Sequence, residues 1–161
     1  MMDIRAALKG QYHAGLAMLR ETVEKCPDEI WVSGEHPRNF WRIAFHAVFF
    51  THLYLQQNEA AFRRWDKHRD HCDVLWAEPP DVEAYSRADI LQYIDLVDES
   101  VDATVDGLDL DTQESGFDWY PNTPKLDHQI LNIRHVQGHV GQLSELLMAR
   151  GIDTDWISKR P

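Results

Sequence analysis

Between Thr123 and Arg150 the chain carries a long run with helical character, and inside it His135 and His139 stand four residues apart. On an α-helix that spacing places two imidazoles one turn apart on the same face. Such a pair can grip one transition metal if the fold supplies one or two further ligands. Spacing alone is weak evidence, so the company the pair keeps matters. At about 100° per residue, Leu131, Gly138, Gln142, Leu146 and Ala149 share the stripe with both histidines and with His128. The stripe reads as a face for burial, and an unpaired buried polar ring costs on the order of 1–3 kcal/mol. Two such rings on neighbouring turns point to a bound metal.

The rest of the chain supplies three more helical patterns. Asp3 to Lys25 repeats apolar residues at spacings of three and four, and Cys26-Pro27-Asp28 ends it; Glu29 to Arg38, with Gly34 and Pro37, reads as a connector. Asn39 is a suitable N-cap for a very apolar second helix from Phe40 to about Gln57. His46 sits in its middle, on the face of Ile43, Phe50 and Leu53, and so points into a core. A short helical piece is expected from Glu59 to about His71, stopping before Pro79-Pro80. Ser86 with Asp89 makes a capping-box-like start for a third helix, which runs to about Asp106 with Asp95, Asp98, Glu99 and Asp102 on its outer side. Thr123 as N-cap and Pro124 in the first turn begin the fourth, and Gly151 closes it. Trp156 and Ile157 of the tail are expected to pack back onto the body. With no strand alternation and no repeat, the pattern predicts an all-α four-helix bundle with long connections after helices 2 and 3. Helices 2 and 4 would meet in its middle, bringing His46 towards His135 and His139.

At 161 residues one domain spanning 1–161 is expected, and 43% hydrophobic residues suffice for a core. A net charge of −11 repels phosphate backbones and anionic membranes, which argues against both as partners. No apolar run approaches a membrane span, and Met1-Met2-Asp3-Ile4-Arg5 is no leader, so the expected location is cytoplasmic. Cys26 and Cys72 could form one disulfide or stay free; free thiols suit that location better.

The motif Phe40-Trp41-Arg42-Ile43-Ala44-Phe45-His46, followed about ninety residues on by His135-x-x-x-His139-x-Gly141-Gln142, resembles the DinB-like family. These are four-helix bundles related to bacillithiol- and mycothiol-dependent transferases. The resemblance covers nearly the whole chain in helix order and spacing. It implies a divalent metal, zinc or nickel most often, held by His46, His135 and His139, with the remaining coordination positions open to water or substrate. The chain departs from the common pattern at Gly138 and Val140, where many members carry His and Arg. Any role of those two neighbours therefore does not carry over.

Three neutral histidines with an open position are the arrangement of catalytic rather than closed structural zinc sites. The chemistry then lies with a metal-bound water, giving a hydrolase, or a metal-bound thiolate, giving a thiol S-transferase with a low-molecular-weight thiol as partner. No His-Glu-x-x-His and no pair of Glu-x-x-His motifs occurs, which excludes zincin and ferritin-like di-iron chemistry. The other class is a non-catalytic metal-binding bundle with a structural or sensing role. Two secondary features remain open. His68-x-x-His71-Cys72 is a conceivable second metal site on an otherwise charged face. The aromatic loop 109–122, with Phe117, Trp119 and Tyr120, either plugs the bundle end or lines a pocket. Finally, Leu126, Ile130, Ile133, Val140, Leu147 and Met148 form a second apolar band on helix 4, and Trp41, Phe45, Val48 and Leu55 one on helix 2. This surplus predicts a homodimer.

Overall fold

Three of the long helices begin where a side chain satisfies their free amides. In this computed structural model, which describes residues 3–34, 38–76 and 81–158, Asp3 accepts from the Ala6 amide at 3.0 Å and opens α1 (Ile4–Lys25). A single turn, α2 (Asp28–Trp31), follows. Asn39 accepts from the Arg42 amide at 3.3 Å and opens α3 (Phe40–Leu55). Ser86 accepts from the Asp89 amide at 3.1 Å while its hydroxyl donates to the Asp89 carboxylate, opening α4 (Arg87–Gly107). The last helix, α5 (Lys125–Met148), has no side-chain cap. The Thr123 hydroxyl, expected there, donates instead to the Pro121 carbonyl at 3.4 Å. It is not needed, because the Lys125 amide already donates to the Thr112 carbonyl at 2.9 Å. Gly151 (φ +74°) closes α5 as expected.

Among the described residues there is no strand, and the four long helices pack as a bundle. Neighbours around its section are α1–α4, α4–α3, α3–α5 and α5–α1, with α1 and α3 across a diagonal. Side-chain contacts fix the directions. Arg5 at the start of α1 donates to the Leu108 carbonyl after α4, Lys9 pairs with Asp106, and Arg20 with Asp95, so α1 and α4 run antiparallel. His13 completes that seam between Asp98 at 2.8 Å and Asp102 at 3.1 Å. The acidic face of α4 thus ties two helices together rather than only solvating one. Tyr12 reaches Gln129 and Gly15 meets Val136, so α1 and α5 run parallel. Asn132 reaches Thr51 and Lys125 reaches Gln56, so α3 and α5 are antiparallel. It follows that α3 and α4, neighbours in sequence and in space, run parallel. Residues 56–86 must therefore return along the bundle.

One departure from expectation lies in that return. The stretch Glu59 to His71 is not a helix beyond the 3-10 turn Glu59–Ala61. It is anchored by single side chains instead: Trp65 is buried and stacks on Tyr93 of α4 (4.6 Å, 3°). Another departure is α2, inside the expected connector: four residues bury Ile30 and Trp31, and the Trp31 indole donates to the Tyr85 carbonyl at 2.8 Å. Pro37 and Pro79-Pro80, read as breaks, lie outside the described residues. Cys26 and Cys72 are both buried and free. Of the two tail residues expected to pack back, Ile157 does so, joined by Ile152, whereas Trp156 is 77% exposed. No helix among the described residues is long and apolar enough to cross a membrane.

The buried face of α5 is rotated from the expected stripe. It comprises Lys125, His128, Gln129, Asn132, Val136, Val140, Leu143 and Leu147, whereas Gly138, Gln142, Leu146 and Ala149 are exposed. The helix packs on both α1 and α3, so its buried face is centred between them, and His135 and His139 lie on its α3 edge. The bands that motivated a homodimer are consequently used within the chain. Val140, Leu147, Trp41, Phe45, Val48 and Leu55 are all buried, and Leu126 and Ile133 half-buried, leaving Ile130 and Met148 exposed.

Gly116 pins the 109–122 loop to the end of α3. It has φ +83°, a Cβ there would lie 2.4 Å from the Gln57 carbonyl oxygen, and its own carbonyl accepts from the Glu59 amide at 3.1 Å. Gly138 is helical with open space around it. Gly116→Ala is expected to destabilise by about 1–3 kcal/mol and Gly138→Ala to stabilise by about 0.5–1 kcal/mol. Urea unfolding midpoints of the two variants check both signs.

Candidate metal centre

Phe40 to Leu55 is apolar on nearly every side because α3 touches α4, α5 and the return segment at once. His46 is therefore buried, 5% exposed, on the side facing α5. Across from it stand His135 and His139. Their Nε2 atoms converge: His46 to His135 is 3.2 Å and His139 to His135 is 3.1 Å. Among the described residues this is the one group of three His, Cys, Asp or Glu side chains whose ligand atoms lie within 4.8 Å of one another.

What stands behind the rings decides their tautomers. His46 Nδ1 lies 2.5 Å from the Asp73 carbonyl oxygen, which can only accept, so the proton is on Nδ1 and Nε2 offers a lone pair. His139 Nδ1 donates likewise to Gln142 Oε1 at 2.8 Å. His135 Nδ1 is buried without a partner. With Nε2 of His135 protonated, it could donate to one neighbour at a time and would leave the other lone pair facing it. Convergent lone pairs with acceptors on the far ring nitrogens are the pattern of metal-ligating histidines. A three-histidine cluster able to coordinate a divalent metal ion is therefore present.

All three rings are held neutral. Burial pushes His46 down to about 3, with a further push from the other two rings, against the pull of the Asp73 carbonyl. Burial, and then His139, pushes His135 down to about 4. His139 is lowered by burial, offset by Gln142. Neutral imidazole is the form that binds metal.

Two cavities open against the cluster. The larger, of ≈ 550 Å³, has His46 and His135 on its floor. Phe49, Phe50, Leu53 and Tyr54 of α3 form one wall, Trp76 of the return segment another, and Trp119 and Tyr120 of the 109–122 loop a third. The smaller, of ≈ 310 Å³, is lined by Arg38, Ile43, His46, Leu75, Trp76, His139 and Gln142. His46 and Trp76 belong to both.

The aromatic loop thus does both things expected of it. Phe117 is buried and stacks on His128 (4.9 Å, 25°), plugging the bundle end, while Trp119 and Tyr120 line the pocket. The His68, His71 and Cys72 stretch does not assemble into a metal group among the described residues. His68 stacks on Phe49 (5.2 Å, 30°), Cys72 is buried, and His71 is an exposed residue with φ +67°. Its backbone contributes: the His71 carbonyl accepts from Arg42 Nη1 at 2.7 Å, two residues before the carbonyl that orients His46. Sequence reasoning missed Asp73 and Trp76. The first acts through its backbone and leaves no side-chain signature; the second lies in a stretch with no regular period. Gln142, one turn beyond His139, was legible as its partner from helical spacing.

No protein-family model matches the chain, and no curated protein is significantly similar to it.

The buried neutral rings give a signed pH dependence. Unfolded histidine titrates near 6.5, and the folded values of His46 and His135 are depressed, so the unfolded chain binds more protons below that point. Their contribution is complete above about pH 6.5 and is lost as pH falls towards the folded values. Scanning calorimetry of chelated protein should show the midpoint falling from pH 7 to pH 4. With zinc or nickel bound the fall should be steeper, because the ion leaves as the rings protonate. Equal falls with and without metal would contradict metal binding at this cluster.

Proposed function

We propose that His46, His135 and His139 hold one divalent metal ion, zinc or nickel, and that the protein is a metal-dependent enzyme acting on a small molecule. The observation that carries this reading is the ≈ 550 Å³ pocket whose floor is the cluster itself. Structural zinc is closed off by four protein ligands, whereas this cluster offers three and faces two cavities. Such an ion, when bound, supplies Lewis acidity and lowers the pKa of a water or thiol that meets it.

The chain's own residues define which chemistry fits. Asp73 and Gln142 hold the protons of His46 and His139 on the far side of each ring, keeping the near nitrogens as ligands. Phe49, Phe50 and Leu53 keep water off one side of the cluster. Among the described residues that line the two pockets none is Asp or Glu. Amide hydrolysis calls for a general acid to protonate the leaving amine, and none of those described residues supplies a carboxyl. Thiol S-transfer makes a smaller demand, since the thiol's proton can leave with the displaced group and a lowered thiol pKa replaces the base. Two openings on either side of His46 and Trp76 give two reactants separate approaches, which a transfer requires. Thiol S-transfer is therefore the first reading and hydrolysis of an activated ester the second. This agrees with the likeness to DinB-like bundles, which we extend to the chain as one domain.

Elemental analysis of purified protein should find about one zinc or nickel per chain, with most of it lost in His135→Ala and in His139→Ala. Full metal content in His139→Ala would refute the ligand set. Metal-loaded protein incubated with small thiols and an alkylating electrophile should yield the thioether by mass spectrometry, and His135→Ala should not. A metal-replete protein that makes no thioether, cleaves no ester, and merely melts earlier when chelated would support a non-catalytic metal-binding bundle instead.

A further inference from the structure

The larger pocket has a composition unlike the rest of the molecule. Charged residues make up 27% of the chain, yet none of the nine described residues lining this pocket is Lys, Arg, Asp or Glu. Its polar atoms are few and partly committed: the Trp119 indole donates to the Tyr54 hydroxyl at 3.2 Å. A ligand carrying an anionic group on its body would lose water there and gain no counter-charge from the walls, at a cost that few contacts offset. The walls are aromatic rings set at mixed angles, with Phe50 and Trp76 centroids 6.0 Å apart at 65° and Tyr54 and Trp119 6.5 Å apart at 48°. Trp76 and Trp119 stand at the rim, 67% and 46% exposed, presenting apolar surface to water. Aromatic surface of this kind is covered most favourably by another ring, stacked or edge-on.

Resting on the metal-site reading above, we propose that this pocket selects a neutral small molecule bearing an aromatic ring, with one donor atom reaching the floor between His46 and His135. Trp119 and Trp76 set that preference from the rim, Trp76 also packing edge-on against the His46 ring (6.0 Å, 71°). A cavity of ≈ 550 Å³ lies within the range that encloses a small molecule. A cationic body would gain cation–π attraction from the rings but meet the repulsion of a divalent ion at the floor. An anionic body is disfavoured by the walls alone, so charge on the far end of the molecule is the sensitive variable.

The test uses cobalt-loaded protein and three imidazoles: 4-phenylimidazole, 4-methylimidazole, and 4-(imidazol-4-yl)benzoate, with binding read from the cobalt visible bands. The phenyl compound should bind about tenfold tighter than the methyl compound and about tenfold tighter than the benzoate. Trp119→Ala should lose most of the phenyl advantage while leaving 4-methylimidazole binding unchanged. Equal affinities for the three compounds in wild-type protein would overturn the proposal while leaving the metal site intact. If no cobalt binds, the metal reading itself fails. The pocket is then decided on the same metal-free protein by calorimetry with toluene and benzoate: toluene binding that weakens in Trp119→Ala supports it, and no preference for toluene over benzoate overturns it.

Discussion

Two ring nitrogens, of His46 and His139, facing that of His135 at 3.2 and 3.1 Å are an arrangement that no single proton can satisfy, and the surrounding structure is built to hold them there. Left free, His46 and His139 would turn their lone pairs towards donors. Two contacts from behind prevent this, the Asp73 carbonyl on His46 and Gln142 on His139. Phe50 packs on the open side, 4.5 Å from His46 and 5.8 Å from His135 between centroids. Since the rings come from α3 and α5, the convergence lasts only as long as those helices keep one register.

Register is the task of the polar residues buried on α5. Asn132 donates to the Thr51 carbonyl at 3.1 Å and the Tyr12 hydroxyl at 3.0 Å. Gln129 donates to the Tyr54 carbonyl at 2.8 Å and accepts from Tyr12 at 2.7 Å. Lys125, fully buried, sets its ammonium on the carbonyls of Gln56, Gln57 and Ser115 at 2.6–2.9 Å, at the C-terminal end of α3 where the helix leaves its carbonyls unpaired. An apolar seam can slide by a turn, about 5.4 Å, and still bury similar area. These bonds cannot, because each acceptor is a particular backbone oxygen and an unmade bond in the core is costly. Sliding α5 on α3 would separate His135 and His139 from His46 and break all of them together.

The same residues explain what the sequence concealed. The positions of the four long helices and the caps at Asn39 and Ser86 were legible, because each rests on local chemistry that reads within four residues. The pairing of His46 with His135 and His139 was legible too, from an inward histidine and a turn-spaced pair. The phase of α5 was not. The stripe was drawn through Leu131, Gly138, Gln142, Leu146 and Ala149, and Val140 and Leu147 were assigned to a second band facing a partner, whereas the buried face carries Lys125, Gln129 and Asn132 with Val140 and Leu147. Hydropathy carries no mark for a polar side chain whose acceptors arrive from a helix seventy or eighty residues distant. The apparent surplus on α3 has a matching cause: a helix covered by α4, α5 and a return strap needs apolar residues on more than one stripe.

Topology links that strap to the site. Parallel α3 and α4 send the chain back along the bundle, and the described part of that return lies on α3, from Gln57 beside Gly116 to His71 beside Arg42. Beyond the 3-10 turn Glu59–Ala61 the described residues of that segment are not helical, so their backbone groups are free to bond elsewhere. The Asp73 carbonyl is one such group, and it is spent on His46. His71 at φ +67° turns the chain just before it, and Arg42 of α3 holds that turn by its carbonyl. Three residues after Asp73, Trp76 stands between the two cavities and lines both. The irregular segment is thus what orients the first ligand and divides the approaches to it. An insertion or deletion that let the strap relax into helix would preserve the four-helix core and disassemble the site.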